Sequence, residues 1–242
     1  MKKVSYLIAA ALVSFSMVSC EREQHAENLK VQYYADFEVE GGLEYILPIG
    51  TTWVDPGFKA TVRGVDVTSQ IVVEDEVDDS EIGAYKVTYT YTTEDGFSND
   101  IVRTVYVCNP AVTTNLEGTW ETIAGTYRQA GETQTPYPGY LVKIKRICPG
   151  FFSVDDMLAQ FYQEFYGYGP AYNYAYDFSA EANWSLNVDN SIDMISGGYV
   201  GAWGVTAGPL TNAAYDPVTE TISYVITWSG YDFHVVLKKQ EN

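Results

Sequence analysis

The chain has 242 residues, with 14 basic and 32 acidic side chains and a formal net charge of −18. Such an acidic surface repels phosphates, which argues against a nucleic-acid partner. It favours neutral or cationic ligands, or only keeps the protein soluble. With 46% apolar and 15% aromatic residues, the chain has enough core-forming side chains for two folded domains.

The first residues have the form of an export signal. Lys2 and Lys3 precede an apolar run from Val4 to Val18, which is too short and too lightly flanked for a stable transmembrane helix. We therefore predict that residues 1–19 are a signal peptide, and we exclude them from the fold.

A cysteine follows the apolar run directly, in the pair Ser19-Cys20. This segment resembles the lipobox of bacterial lipoproteins, in which the cysteine sulfur is acylated, for example with palmitate, and the cysteine becomes the mature amino terminus. The resemblance implies that Cys20 is lipidated and that the protein contacts the membrane through this lipid anchor only. The alternative is an ordinary secretory signal with an incidental cysteine.

Residues 20–30 are polar and show no apolar periodicity, which predicts a flexible tether. The acidic start of this tether, "EREQHAENLK", resembles the export tag of surface lipoproteins in gut anaerobes that forage on glycans. That resemblance implies attachment to the outer membrane facing the cell exterior. The periplasmic face is the alternative.

Residues 31–108 contain short strand-like segments separated by turn signals. The segments "KVTYTYTT" (86–93) and "IVRTVYV" (101–107) alternate apolar or β-branched residues with polar ones. The pair Asp95-Gly96 between them is a typical hairpin turn. The pattern predicts a β-sandwich domain.

The segments "GTTWVDPGFKATVRGVDVTSQI" and "EIGAYKVTYTYTTEDGFSN" resemble a bacterial immunoglobulin-like domain frequent in cell-surface proteins. The resemblance implies structural roles: Trp53, Tyr85 and Tyr89 pack the sandwich, while Gly83 and Gly96 supply backbone angles closed to other residues.

Residues 74–81, "EDEVDDSE", cluster carboxylates of the kind that bind calcium. The spacing differs from an EF-hand loop and the segment has no central glycine, so we interpret it as a solvated acidic loop. No metal site and no cofactor are predicted.

Two further cysteines, Cys108 and Cys148, form an even pair in a compartment that permits disulfides. They are either a disulfide or two separate buried thiols. Between the domains, residues 109–115 form a short polar segment with a proline, which predicts a linker.

Residues 116–240 contain at least five strand-like segments, which predict a C-terminal antiparallel β-barrel or sandwich; the whole chain is therefore predicted to be mainly β. One inserted helix is predicted near 153–166, with Ser153 as N-cap and an apolar stripe that ends at Phe165. The opening L-x-G-x-W and the closing segment 215–239 resemble the uncharacterised C-terminal domain of lipoproteins encoded beside polysaccharide-uptake genes. That resemblance implies no activity.

No catalytic motif is found in the chain. His25 lies in the tether, so a catalytic triad would depend on His234 alone, and His234 alternates with the apolar residues of the last predicted strand. No nucleophile elbow, phosphate loop or dinucleotide fingerprint occurs. Paired carboxylates for glycoside cleavage stay open as an alternative, since they need not be close in sequence, but Asp155 and Asp156 are explained as charges of the first helical turn. We therefore predict that the protein is not an enzyme.

The most unusual segment is "FYQEFYGYGPAYNYAYDF" (161–178), with six tyrosines and three phenylalanines. Tyr172, Tyr174 and Tyr176 recur at every second position, so an extended segment would present three rings on one face. Trp203, flanked by small residues, is a fourth candidate ligand-binding residue. The alternative is that these rings cover the end of a barrel.

Two function classes follow. The first is a non-catalytic cell-surface lipoprotein that binds an oligosaccharide for a polysaccharide uptake system, with an outer-membrane uptake complex as partner. The second is a structural or protein-interaction accessory lipoprotein of an outer-membrane complex.

By contrast with the candidate rings, Trp184 and Trp228 alternate in phase with apolar strand residues, which predicts core positions.

Overall fold

The computed structural model describes residues 31–241. The predicted signal peptide, the tether and the lipidation site Cys20 lie outside the described residues. From Tyr34 onward the chain forms one compact unit. The described residues include no helix that is long and apolar enough to cross a membrane.

The N-terminal part is built from seven short strands and one 3-10 helix at Thr68–Gln70. The strands are β1 (Asp36–Val39), β2 (Glu44–Pro48), β3 (Phe58–Val62), β4 (Val65–Asp66), β5 (Val72–Asp75), β6 (Gly83–Thr92) and β7 (Ser98–Cys108). One sheet has the order β1-β3-β4 and the other β2-β7-β6-β5, with β2 parallel to β7. This is the two-sheet arrangement predicted for an immunoglobulin-like domain.

The predicted hairpin is β6 and β7, which pair in antiparallel register from Thr92 opposite Ser98 down to Gly83 opposite Val107. Gly96 has φ +84° in the turn, as expected of its turn signal. Because successive side chains of a strand point to opposite faces, the alternate residues Val87, Tyr89, Val105 and Val107 are buried together in the core between the sheets.

The residues assigned structural roles by resemblance lie in or against this core. Tyr89 is fully buried, while Trp53 and Tyr85 are partly buried and pack against the same cluster. Gly83 does not have a positive φ, contrary to expectation. A Cβ at Gly83 would lie 3.1 Å from the Tyr85 ring, so this position needs a small residue for space rather than for an unusual backbone angle.

The C-terminal part contains eleven strands in one antiparallel sheet. They are β8 (Gly118–Thr122), β9 (Tyr127–Ala130), β10 (Thr133–Pro136), β11 (Leu141–Cys148), β12 (Phe151–Val154), β13 (Glu181–Leu186), β14 (Ile192–Val200), β15 (Val205–Thr206), β16 (Leu210–Asp216), β17 (Thr221–Trp228) and β18 (Tyr231–Lys239). The main path runs β10-β9-β18-β8-β11-β12-β13-β14-β15, and β16 and β17 attach through β18.

Within the described part of the chain this sheet is not a closed barrel. Strand β14 and strand β16 meet only near one isolated bridge between Ser191 and Ala214, beside a backbone bond from Tyr215 N–H to the Asn190 carbonyl. The strands nevertheless share one large core, in which Trp184 and Trp228 are buried as predicted.

The helix predicted near 153–166 is wrong in extent. Ser153 is not an N-cap but lies in β12, where it pairs with Lys145 and Asn183 on the neighbouring strands. Ala159 and Gln160 have φ of +51° and +66°, which no helix accommodates. Strand pairing therefore overrides the local helical pattern.

In the described C-terminal part, helical structure is limited to a π-helical turn at Phe161–Phe165 and one turn of α-helix, α1, at Tyr168–Ala171. The burial pattern of the predicted stripe is nevertheless observed. Val154, Met157, Leu158 and Phe161 are all buried, because the extended and turn conformations still direct them into the core, and Phe165 is partly buried against it.

The structure joins Cys108, the last residue of β7, to Cys148, the last residue of β11, in a disulfide with a Cα–Cα distance of 6.0 Å. Both cysteines are buried beside Phe151. In the segment predicted as a linker, Val112 is buried in the C-terminal core, and Asn109 N–H donates to the Pro149 carbonyl. The connection is thus tied to the C-terminal part.

Candidate functional site

The conformation of residues 168–176 decides which tyrosine rings lie together. The segment is not extended, as the alternation suggested: Tyr172 N–H donates to the Tyr168 carbonyl, and Tyr174 N–H donates to that of Gly169. Asn173 and Tyr174 have positive φ, which bends the chain further. The predicted single face of three rings is therefore wrong.

Tyr172 and Tyr176 are brought together instead, because the chain turns between them: Ala175 N–H donates to the Tyr172 carbonyl. Their rings meet edge to face with centroids 5.6 Å apart, and the side chains are 51% and 58% exposed. Phe178 packs against both rings, at 5.7 and 6.5 Å. Phe178 itself is buried.

Tyr174 lies away from these rings. Its ring covers Gly169, where a Cβ would stand 2.7 Å from a Tyr174 ring carbon. Desolvation and the neighbouring Glu164 carboxylate raise the pKa of the Tyr174 hydroxyl. Tyr174 is as exposed as Tyr172 and Tyr176 but lines neither of the aromatic hollows described below.

Trp203 lies in the turn between β14 and β15, and it is 38% exposed. Its neighbours in sequence are small, but its indole packs against rings from distant positions in the chain. Four rings surround it: Tyr162 and Phe178 at 4.9 Å, Trp228 at 5.3 Å and Tyr168 at 5.6 Å. The turn is also linked to residues 161–178, which we call the aromatic segment, by a bond from Ala202 N–H to the Asp177 carbonyl.

We refer to Tyr168, Tyr172, Tyr176, Phe178, Ala202 and Trp203 together as the aromatic surface. It contains two adjoining hollows. One, of about 170 Å³, is lined by Tyr168, Tyr172, Phe178 and Trp203. The other, of about 300 Å³, is lined by Tyr172, Tyr176, Phe178, Ala202 and Trp203. No charged side chain lines either hollow.

The aromatic surface rests on a rigid base of further rings. Tyr162 is buried, and its ring lies 5.1 Å from Trp228 and 5.9 Å from Phe233. Burial raises the pKa of Tyr162, against the lowering effect of Arg128. The Arg128 guanidinium lies 4.9 Å from the centre of the Phe161 ring and 4.7 Å from that of Tyr231, an arrangement favourable for cation–π attraction.

A buried carboxylate holds the two ends of the aromatic segment together. Asp156 is fully buried, and it accepts backbone N–H bonds from Leu158, Gln160 and Ala180 at 2.8–2.9 Å. Burial raises the pKa of Asp156 to about 7, although the three N–H bonds lower it. Gln163 adds a second link, because its side-chain oxygen accepts the Phe178 N–H at 2.9 Å.

A larger polar groove of about 550 Å³ lies beside the segment and includes Asp155, Gln163 and Asp177 in its lining. One side-chain oxygen of each residue is engaged by the fold: Asp155 accepts the Lys143 N–H, Gln163 that of Phe178, and Asp177 that of Ser179. We place the candidate site on the aromatic surface, because exposed rings line both of its hollows.

A metal centre has no candidate among the described residues. They include no cluster of three or more His, Cys, Asp or Glu side chains that could hold a metal ion. His234 stacks on the Tyr127 ring at a centroid distance of 4.4 Å, and neither residue lines either hollow. What the surface offers a ligand is apolar ring faces and phenol hydroxyls.

Of the sequence-predicted site residues, the structure brings together Tyr172, Tyr176 and Trp203, and it leaves out Tyr174. Sequence reasoning missed Tyr168, Phe178 and Ala202. The signal for the first two was present in the aromatic density of the segment, but which rings face Trp203 depends on the fold. Ala202 is adjacent to Trp203 and has no signal of its own.

Comparison with known proteins identifies two families along the chain. A model described as a bacterial surface protein, Ig-like domain, matches residues 37–107. A second model, described as a C-terminal domain, matches residues 109–239, more than half of the chain. Neither is a known enzyme family. A search of the curated proteins finds no match.

Among solved structures, the lipoprotein BT2262 from Bacteroides thetaiotaomicron is 31% identical, with 85% of this chain and 100% of that one covered and a TM-score of 0.47. A structure of Clostridium perfringens ZmpB domains, CBM51-2 in complex with GlcNAc and INT, is 11% identical over 86% of this chain and 44% of that one. Its TM-score of 0.26 does not establish a common fold.

Proposed function

Because the chain belongs to the same family as the BT2262 lipoprotein and carries a bacterial surface Ig-like domain, we propose that it is a non-catalytic, glycan-binding lipoprotein of the cell surface. The aromatic surface is the proposed binding site. The N-terminal domain is the proposed spacer that holds this site away from the membrane.

The observation that carries the proposal is the exposure of Tyr172, Tyr176 and Trp203 around two hollows. Leaving large apolar faces in water is unfavourable, so a cluster of them is typical of a binding surface. Tyrosine and tryptophan combine an apolar face with a polar edge, and they lose little rotamer freedom on binding. Such a face suits the C–H surface of a sugar ring, while the phenol hydroxyls suit its hydroxyl groups.

The packing beneath the surface also supports a binding role. Trp203 is held by four neighbouring rings, and the aromatic segment is fixed at its base by Asp156 and Gln163. Because these side chains are already ordered, a ligand would pay little conformational entropy to bind them. Binding would then require no rearrangement of the core.

The anchoring part of the proposal concerns Cys20. Lipidation at this residue would attach the protein to the outer membrane, with the folded part facing the cell exterior. Each buried methylene of an acyl chain contributes about 0.8 kcal/mol, so two or more chains give stable attachment. The proposed partner is an outer-membrane uptake complex that receives the captured oligosaccharide.

The test is a glycan array probed with the soluble protein from residue 21 onward and with single alanine variants of Tyr172 and Tyr176. Specific retention that each variant weakens would support the proposal. Tyr174→Ala is the matched control, since Tyr174 is an equally exposed tyrosine of the same segment that lines neither hollow.

Absence of retention on a broad array would contradict glycan binding. The alternative, a structural or protein-interaction accessory of an outer-membrane complex, would then remain, because exposed aromatic residues are also enriched at protein interfaces. Release of a new reducing end during the assay would contradict the non-catalytic part of the proposal.

A further inference from the structure

The part of the chain that builds the aromatic surface has an unusual charge composition. Between Arg146 and Lys238 the sequence contains no Lys or Arg, whereas it contains ten Asp and Glu residues. Every member of the aromatic surface, from Tyr168 to Trp203, lies inside this interval. The segments around the hollows therefore supply no cation from their own sequence.

Two cations from other strands are Lys143, which lines the polar groove beside the aromatic segment but neither hollow, and Arg128, which is not positioned to serve a ligand. Its guanidinium is stacked among the rings of Phe161, Tyr166 and Tyr231 at 4.7–5.7 Å. Arg128 lines neither hollow. A carboxylate or sulfate placed on the aromatic surface would thus lose water without gaining a positive partner, which is costly.

The two hollows also share part of their lining. Tyr172, Phe178 and Trp203 line both of them, Tyr168 lines only the smaller one, and Tyr176 and Ala202 line only the larger one. A ligand that contacts both outer edges has to extend across the shared rings. An oligomer of stackable rings meets this requirement better than one compact molecule.

We propose that the ligand of the aromatic surface is an uncharged oligosaccharide of at least two sugar units, lying across both hollows, and that glycans carrying carboxylate or sulfate groups are rejected. This inference rests on the proposed glycan-binding function and adds the class of glycan. Selectivity against anions comes from the absence of a cation in both hollows and from the net charge of −18 of the chain, which repels anions at a distance.

The experiment compares matched pairs of ligands on the soluble protein: neutral oligosaccharides that the array retains, and the same oligosaccharides oxidised at C6 to uronates. We expect the uronates to bind about tenfold more weakly or worse, equivalent to about 1.4 kcal/mol or more. The affinity of the neutral ligands should not change with salt concentration, because stacking involves no net charge. The monosaccharide unit should bind more weakly than the oligosaccharide.

A gain-of-function pair tests the position of the ligand. Ala202→Lys places a cation at the edge of the larger hollow, and Ala202→Gln is the neutral control of comparable size. We expect the lysine variant, and not the glutamine variant, to bind uronates more tightly than the unmodified protein. Circular dichroism confirms that both variants are folded before they are compared.

Equal or tighter binding of the uronates, selective binding of amino sugars, or equal binding of the monosaccharide would overturn this inference and leave glycan binding itself intact. Two folded Ala202 variants with the same affinity for uronates would contradict the placement of the ligand over the larger hollow. If no glycan is retained at all, the proposed function fails, and this inference fails with it.

Discussion

The carboxylate of Asp156 accepts the backbone N–H of Ala180 at 2.9 Å, across 24 residues of chain. The same oxygen accepts the Leu158 N–H at 2.9 Å, and the second oxygen accepts that of Gln160 at 2.8 Å. One side chain thus joins the entry and the exit of the aromatic segment. Tyr224 and Tyr137 reinforce this base by donating hydroxyl bonds to the Met157 and Leu158 carbonyls.

This arrangement predicts a pH dependence of stability. Burial raises the pKa of Asp156 to about 7 from the ordinary aspartate value of 3.8. Between these two values the folded state binds more protons at Asp156 than the unfolded state. The contribution of Asp156 therefore favours folding at low pH and is lost as pH rises through 7, by an amount on the order of a few kcal/mol.

The measurement is urea unfolding of the protein and of Asp156→Asn between acidic and mildly alkaline pH. Because asparagine does not titrate, the variant should be less stable at low pH but should lose less stability as pH rises. Asp155→Asn is a comparison at the neighbouring position: burial also raises the pKa of Asp155, so this variant shows how much of the pH slope belongs to Asp155, whose side chain accepts the Lys143 N–H at 2.9 Å. An identical pH slope in the protein and in Asp156→Asn would contradict the assignment.

A second prediction concerns the N-terminal domain, where Arg103 is completely buried and pairs with Asp55 at 2.5 Å. Its other donors bind the carbonyls of Gly42 and Glu40, while Tyr89 donates its hydroxyl to Asp55. Arg103→Ala should reduce the free energy of unfolding by about 3–5 kcal/mol, because the Asp55 carboxylate and two carbonyls lose the guanidinium that binds them.

Chemical denaturation checks this value, with Lys238→Ala as the comparison. The exposed pair of Lys238 with Glu220, at 3.9 Å, should contribute less than about 1 kcal/mol. A loss for Arg103→Ala no larger than that for Lys238→Ala would show that the buried pair does not stabilise the domain.

A third prediction concerns the disulfide between Cys108 and Cys148, which are 40 residues apart in sequence. Replacement of either cysteine by serine should lower the free energy of unfolding by roughly 4 kcal/mol, because the unfolded chain regains the entropy of an open loop. Thermal unfolding with and without reductant measures the effect. Unaltered stability of the serine variants would mean that the bond adds nothing to the fold.

A fourth prediction separates binding residues from core residues. Tyr172→Ala and Tyr176→Ala should weaken oligosaccharide binding by roughly 1 kcal/mol or more each, with little change in thermal stability, because both rings are more than half exposed. Trp184→Ala should instead cost roughly 3 kcal/mol or more of stability, since that side chain is fully buried. Isothermal titration and thermal unfolding on the same samples distinguish the two classes.

Trp203→Ala belongs to both classes. Its indole is partly exposed, yet it contacts four rings of the base, so we expect a loss of binding together with a measurable loss of stability. If Tyr172→Ala and Tyr176→Ala unfold as readily as Trp184→Ala, their rings belong to the core, and the proposed site loses its main support.

A fifth prediction concerns membrane attachment. Cys20→Ala should move the protein from the membrane fraction to the soluble fraction, because the acyl chains on this cysteine are the proposed anchor. Cell fractionation followed by immunoblotting measures this. Retention of the variant in the membrane fraction would contradict lipidation at Cys20 as the mode of attachment.

Several features of the fold could be predicted from sequence because their causes are local. The hairpin of β6 and β7 follows from the alternation of side chains and from Gly96, whose positive φ the turn requires. The burial of Trp184 and Trp228 follows from their phase within alternating strands. Each signal resides in a few neighbouring residues.

The helix predicted near 153–166 shows where local signals fail. The spacing of apolar residues identified which side chains are buried, but not the conformation that buries them. Ser153 pairs with strands on both sides, and Asp156 binds three N–H groups from turns, one of them 24 residues away. These are long-range interactions, and they outweigh helix propensities of well under 1 kcal/mol per residue.

The sequence alone determined that the protein is mainly β, that it has an immunoglobulin-like domain before a second β domain, and that its aromatic residues concentrate near residues 161–178. Only the tertiary structure decided which of those rings form a surface. Tyr172 and Tyr176 line one hollow with Trp203, because the chain turns within residues 168–176 and Trp203 lies in the turn after β14. The same turns place the Tyr174 ring against Gly169. Composition and strand periodicity are properties of neighbouring residues, whereas a binding surface is made of contacts between residues far apart in the chain.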